Sequence, residues 1–236
     1  MTERNAPLYL ALLLCFAGLT GCQSSTTACS SCDEGWEVLF DGTSTDAFRR
    51  YKQESFPEKG WVIEDGTLHI QPGSKAGGII TRKQYGDFDL RWEWKVAKGA
   101  NSGVMYRVEE GEGSPHMTGP EYQILEDANH RDGKNPKTSA AALYALIACG
   151  DNKTLKPIGE WNTSRIVIQD NSVEHWLNGE VVVSYQWAGD EVNALIADSK
   201  FTRWPQFMTK DRGHICFQDH NDAVWFRNIR IKELGK

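Results

Sequence analysis

The chain of 236 residues has no glycine-rich phosphate loop, no GxSxG elbow and no HExxH pair. Those absences remove the nucleotide-binding, serine-elbow and zinc-protease readings. Its 26 Lys and Arg stand against 32 Asp and Glu, a net charge of −6, and no basic cluster occurs. Nucleic acid is therefore not an expected partner, because phosphates need grouped Lys and Arg. No repeat of fixed period is visible, which disfavours a propeller. Long apolar runs are scarce too. Only Leu8–Leu19 is nearly unbroken, and it falls short of the roughly 20 residues that cross a bilayer as a helix.

That run ends in Leu19-Thr20-Gly21-Cys22, followed by the small polar stretch Gln23–Thr27. An apolar segment stopping at small residues reads as an export signal. Cysteine directly after Leu-x-Gly resembles a bacterial lipobox, with Cys22 as the lipidated first residue of the mature chain. A plain secretory signal is the alternative, since the leading region has only Arg4 against Glu3. The expected division is residues 1–21 as signal, 22–35 as tether and 36–236 as the folded domain. The expected location is an exported lipoprotein on the periplasmic or cell-surface side of a bacterial envelope. Its partner there is the lipid bilayer, and durable anchoring takes more than one acyl chain.

Cysteine is sparse. Cys29-x-x-Cys32 has no second CxxC or histidine pair at finger spacing, so a local disulfide or an idle pair outweighs a metal site. Cys149 and Cys216 sit in apolar surroundings and read as core thiols, although an exported compartment would permit a bridge. No metal site and no cofactor are expected, with a divalent ion left open.

What the chain does have is strand pattern. Residues 160–186 carry three β-branched runs, Ile166–Ile168, Val173–Leu177 and Val181–Tyr185, separated by Asp170-Asn171 and Asn178-Gly179. Asn-Gly is the strongest short hairpin signal, because both central residues of a type I′ turn need positive φ. Trp61–Ile70 reads as a hairpin about Asp65-Gly66. Asp87–Val96 alternates, with Phe88, Leu90, Trp92, Trp94 and Val96 on one face and the charged residues on the other. A bulge is expected near Arg227-Asn228, where the parity of the last strand changes. Ser139–Ala148 is the one helical candidate, its alanine content leaving helix and strand hard to separate, and residues 187–212 read as a rim loop. About eleven short strands without a βαβ rhythm predict an all-β fold, a jelly-roll sandwich of two antiparallel sheets.

On a strand, residues two apart share a face. Glu121 and Gln123 therefore project together from Gly119–Asp127, and Asn101, Gly103, Met105 and Arg107 share one face of the preceding strand. Polar side chains in register inside an apolar strand are costly unless they meet water or a ligand. Arg107 is expected beside Glu121, pinning it or binding a sugar oxygen. A surface ion pair, worth little, is the plainer account. His220, at the end of Gln218-Asp219-His220, can lean over a sheet rim. Trp161, Trp187, Trp204 and Trp225 are at loop or strand ends, where an indole can stack on a sugar, though core packing suffices for many.

Taken in order, Trp36–Thr43, Trp61–Leu68, Tyr85–Leu90, Asn101–Val104, Gly119–Leu125, Ala142–Ile147, Glu160–Asn162, Trp176–Gly179 and Gln218–Ile231 resemble the 3-keto-disaccharide hydrolase domain family. That family is similar to the concanavalin A-like lectin/glucanase sandwiches. The resemblance implies cleavage of glycosides whose sugar carries a ketone at carbon 3. It also raises Glu121, Glu160 and His220, each inside a matching motif, as catalytic candidates. The expected roles are His220 or Glu121 as base and Glu160 as its acid–base partner. Asn101, Arg107, Gln123, Asn162, Gln218 and Trp161 are the expected substrate-binding groups. Elimination across carbons 1 and 2 competes with ordinary two-carboxylate hydrolysis, whose carboxyls lie roughly 5–9.5 Å apart. A non-catalytic carbohydrate-binding surface lipoprotein is the alternative function on the same fold.

Overall fold

In the computed structural model, the described residues are 1–2, 34–111 and 113–235. Most of the expected signal segment, with Cys22, Cys29 and Cys32, lies outside them. Thirteen strands run through the described chain. The larger sheet takes its order from two hairpins and a long closing strand. β9 (Asn162–Gln169), β10 (Ser172–Leu177) and β11 (Glu180–Gln186) form the expected meander, with Asn178 at φ 50° and Gly179 at φ 92° in its tight turn. β9 then pairs with β6 (Phe88–Val96), and β6 with β13 (Val224–Glu233). The far side of β13 is shared by two partners, β4 (Thr67–Ile70) near its start and β1 (Trp36–Phe40) near its end. A register shift between Arg227 and Arg230 separates them, with Asn228 at φ 52°, so the bulge lies where the parity changes. β3 (Trp61–Glu64) completes this eight-stranded sheet.

The smaller sheet has the order β2 (Phe48–Arg50), β5 (Ile79–Thr81), β12 (His214–Phe217), β7 (Asn101–Val108) and β8 (Glu121–Leu125). All pairings are antiparallel. The alternating residues of β6 bury Phe88, Leu90, Trp92 and Trp94 toward the smaller sheet. There Trp92 meets Tyr122 edge to face at 5.0 Å, and Phe217 meets Phe226 at 5.2 Å. Gly35–Lys236 forms one compact unit. Cys216 is fully buried and Cys149 partly so, and both are free thiols.

Two expectations about helix are overturned. Ser139–Ala148 is not helical. Ala141 and Ala145 adopt φ of 66° and 61°, and Leu143 bridges both Tyr122 and Ile147. Tertiary pairing with the open edge of β8 overrides the helix propensity of alanine. The helix is instead α1, Asp190–Ala197, inside the stretch read as loop. It buries Val192 alone, too little apolar repetition to declare itself in sequence.

Candidate active site on the outer face of the smaller sheet

Register sets three rows of side chains facing out from β12, β7 and β8. Cys216, Met105 and Glu121 are cross-strand neighbours in the first row. Gly103 and Gln123 pair in the second, joined by Gln218, whose backbone N–H donates to Gly103 O at 2.9 Å. Asn101 and Leu125 make the third. Glycine at position 103 is what shapes the centre. A Cβ there would collide with the Glu121 carboxyl. The Glu121 side chain thus leans along the sheet and lies over Gly103, between Gln218 and Gln123.

This carboxyl is largely removed from water, with Glu121 8% exposed. Burial pushes its pKa from 4.5 up to about 8; the charge of Lys200 opposes the shift and that of Asp132 adds to it. Around it, Asn101 Oδ1, Gln123 Oε1 and Gln218 Oε1 are buried with no hydrogen-bond partner in the protein. The Gln123 oxygen is fixed in direction, because its Nε2 donates to Thr138 O at 3.1 Å. A buried acceptor left unanswered costs about 1–3 kcal/mol. Three of them on one sheet face, beside a neutral acid, set this face apart as the candidate site.

The rim is built from two irregular segments. Residues 139–147 run along β8, with Ala141 N–H donating to Gln123 O at 2.8 Å and Tyr144 N–H to Glu121 O at 3.0 Å. Lys200–Arg203 forms a 3-10 turn capped by Ser199, whose hydroxyl accepts from Phe201 N–H. From it, Lys200 Nζ sits 4.4 Å from the centre of the Tyr144 ring. Trp204 packs edge-on to His116 at 5.0 Å. Burial lowers the His116 pKa, and Lys200 lowers it further.

His220 stands at the opposite end. Its Nδ1 is 3.9 Å from Asp222 Oδ2, the same oxygen that accepts from Asn101 N–H at 3.0 Å. The ring is half exposed, 51% by side chain. Glu121, Gln123, Gln218, Asn101 and His220 are therefore gathered on one face and its rim.

Four expected residues lie elsewhere. Arg107 points to the other side of the sheet, because Met105 pairs with Cys216 while Val108 pairs with His214. That two-against-one bulge, with Arg107 at φ 51°, reverses the parity. Arg107 instead binds Asp87 at 3.1 Å and stacks on Trp187 at 4.4 Å. Asn162 belongs to the larger sheet, opposite Trp94, where its Oδ1 accepts from Lys156 N–H and Asn178 Nδ2. Trp161 packs under Arg227 and Lys95, side chains of the larger sheet's outer face. Glu160 is exposed in the turn leading into β9, its N–H bonded to Pro157 O. The motif Glu160-Trp161-Asn162 is thus a strand start on the opposite sheet. Lys200 and Tyr144 were not singled out by sequence, since neither segment shows alternation that reports a facing.

Residues 35–232 match the family model described as a 3-keto-alpha-glucoside-1,2-lyase-like domain. The chain belongs to this family. A 3-keto-disaccharide hydrolase of Bacteroides thetaiotaomicron is 34% identical over 231 residues, covering 85% of this chain and 79% of the relative. Among solved structures, a candidate glycosyl hydrolase from Parabacteroides distasonis superposes with a TM-score of 0.79 at 33% identity, over 88% of this chain and 98% of the other. A second from that organism gives 0.63 at 26% identity, over 84% and 99%. This member of the 3-keto-glucoside lyase-like family is accordingly a glycoside-acting enzyme on a β-sandwich.

Proposed function

We propose that the enzyme cleaves glycosides of 3-keto sugars by elimination, using the outer face of the smaller sheet. The observation that carries this reading is the Glu121 carboxyl, laid over Gly103 with its pKa raised to about 8. A carboxyl that keeps its proton at neutral pH is fitted to donate it to a departing oxygen.

A ketone at carbon 3 acidifies the hydrogen on carbon 2. His220 takes that proton, and the C–H electron pair forms a double bond between carbons 2 and 3 as the C3–O π pair moves onto oxygen. The pair then returns, restoring the ketone. A double bond forms between carbons 1 and 2, and the C1–O bond breaks. The leaving oxygen takes the proton of Glu121. Water added across the new double bond, oxygen to carbon 1 and hydrogen to carbon 2, completes a net hydrolysis. Asn101, Gln123 and Gln218 hold hydroxyls of the sugar through their amide groups. From Gly103 to Asn101 the strand rises about 7 Å, a span that suits an acid and a base on either side of one sugar unit.

The test incubates the purified protein with a 3-keto glucoside and with its unoxidised parent. Release of alcohol from the first alone, reduced about 10²–10⁴-fold by Glu121→Gln, is the expected result. Equal release from both would overturn the substrate assignment. Tight binding with turnover of neither would make the protein a lectin.

The exported, bilayer-anchored location is likewise our proposal, supported by Leu19-Thr20-Gly21-Cys22. Radiolabelled palmitate should enter the expressed full chain and be lost in Cys22→Ala; unlabelled wild type would defeat it.

A further inference from the structure

Resting on that reading, we propose that Lys200 is the group that receives the oxygen on carbon 3 and carries its negative charge as the enolate forms. A ketone oxygen can only accept. The atoms left unanswered on this face, Asn101 Oδ1, Gln123 Oε1 and Gln218 Oε1, are acceptors, and the amide nitrogens that Asn101 and Gln218 carry beside them are neutral donors. The oxygens repel an oxo group, and a neutral amide answers a full negative charge less strongly than a cation does. The Glu121 proton goes to the leaving oxygen. The charge that develops on the oxo oxygen therefore calls for a separate donor, and a cation is the strongest kind.

Lys200 is placed for this. Its ammonium rests 4.4 Å from the Tyr144 ring centre, and Tyr144 is tied by its N–H to the backbone of Glu121 at 3.0 Å. A cation over an aromatic face is held without being neutralised. Lys200 and Glu121 lie near enough for each charge to bias the other's protonation. They form no ion pair within 4.0 Å, and among the described residues no other carboxylate clasps this ammonium. Asp132 and Arg203 also face Lys200, and Arg131 faces Tyr144. None of them stands on the sheet itself.

The electron movement is that given above, with Lys200 acting at the enolate stage alone. The assignment separates enolate formation from loss of the leaving group, so the two can be read apart. A 3-keto-1,5-anhydroglucitol has no exocyclic group to lose from carbon 1, yet its carbon 2 hydrogen can still be removed and returned. In deuterium oxide, wild type should exchange that hydrogen, followed by NMR, and Glu121→Gln should keep exchanging while failing to cleave a 3-keto glucoside. Lys200→Met should lose exchange and cleavage together by about 10²–10³-fold, the scale of removing one oxyanion donor. Lys200→Arg should recover part of both. Binding by Lys200→Met should discriminate the 3-keto sugar from its 3-hydroxy parent less than wild type does. Circular dichroism and thermal melts check that the variants are folded, and recovery by arginine separates a lost charge from a lost fold. Full exchange in Lys200→Met would overturn the role of Lys200 while leaving the elimination intact. No exchange and no cleavage by wild type would instead overturn the elimination, and this role with it.

Discussion

The two outer faces of the sandwich treat polar side chains in opposite ways. On the larger sheet the charges answer one another, although one ring nitrogen there, His69 Nε2, is buried without a partner. Asp89 receives Arg91 and Arg165, both at 2.8 Å, and Glu93 receives Arg227 at 2.7 Å. Cations lie over Trp36, Trp161, Trp176 and Trp225. On the smaller sheet a buried carboxyl stays unpaired, and three amide oxygens about it have no protein partner. A mostly satisfied polar surface stabilises the fold a little and asks for little more. An unsatisfied one is tolerated where something else completes it. Abundance of charge and tryptophan is therefore a poor guide to the site here, and several unpartnered atoms clustered about a raised carboxyl are a better one.

The comparison is tested most severely at Glu121. Glu121→Gln should lower kcat/KM on a 3-keto glucoside about 10²–10⁴-fold, with little change in substrate affinity. The same variant sharpens the physical claim through stability. The folded protein holds a proton that the unfolded chain releases, the pKa being about 8 in place of 4.5. Glu121 therefore contributes fully below pH 4.5, and that contribution is lost as the pH rises through about 8. Urea melts of wild type should show the decline, at most about 5 kcal/mol at 1.36 kcal/mol per unit. Melts of Glu121→Gln should lack this component. Parallel pH curves for the two proteins would mean the carboxyl is hydrated after all.

Gly103→Ala probes the same centre from below. Its methyl occupies the space of the Glu121 carboxyl. Moving a reacting group by about 1 Å can cost about 10²-fold in rate, so kcat should fall by that order while the fold persists. Unchanged turnover would show that the carboxyl has another equally good seat.

Polar burial alone is not enough to mark function, and His175 shows why. It lies in the core between the sheets, with Nε2 at 2.8 Å from Tyr106 Oη and Nδ1 at 3.0 Å from Ala141 O. Both nitrogens are answered. Burial holds its pKa down at about 4 against 6.5. Its contribution is thus present above pH 6.5 and disappears as the pH falls through about 4. Acid melts should show up to about 3 kcal/mol of this loss, and His175→Gln should flatten it without touching catalysis at neutral pH.

Strand alternation made most of this legible. The meander of β9 to β11, the core face of β6 and the bulge at Asn228 all follow from side-chain parity, which sequence displays directly. Parity also brought Glu121, Gln123 and Asn101 to one face. It failed at Arg107 for a local reason: one residue at φ 51° turns every later side chain over, and nothing about arginine announces a left-handed backbone. Glu160-Trp161-Asn162 misled because a motif fixes neighbours along the chain, not the sheet they join. Lys200 and Tyr144 were invisible because their segments have no period. They are positioned by docking on the edge of β8 and on one another, which is long-range information.

The gentlest prediction concerns the larger sheet. Arg227 bonds Glu93 at 2.7 Å and stacks 4.0 Å from Trp161, with 39% of its side chain exposed. Removing one member of an exposed pair typically costs about 0.2–1 kcal/mol, less at high salt. Arg227→Ala should therefore lower the urea midpoint slightly, and kcat/KM on a 3-keto glucoside should stay within about twofold of wild type, since surface changes away from a site rarely propagate. The value of so small an effect is what its failure would mean. A tenfold loss of activity would bring Trp161 and its cation back into the reaction, and the division between a resting face and a working face would have to be abandoned.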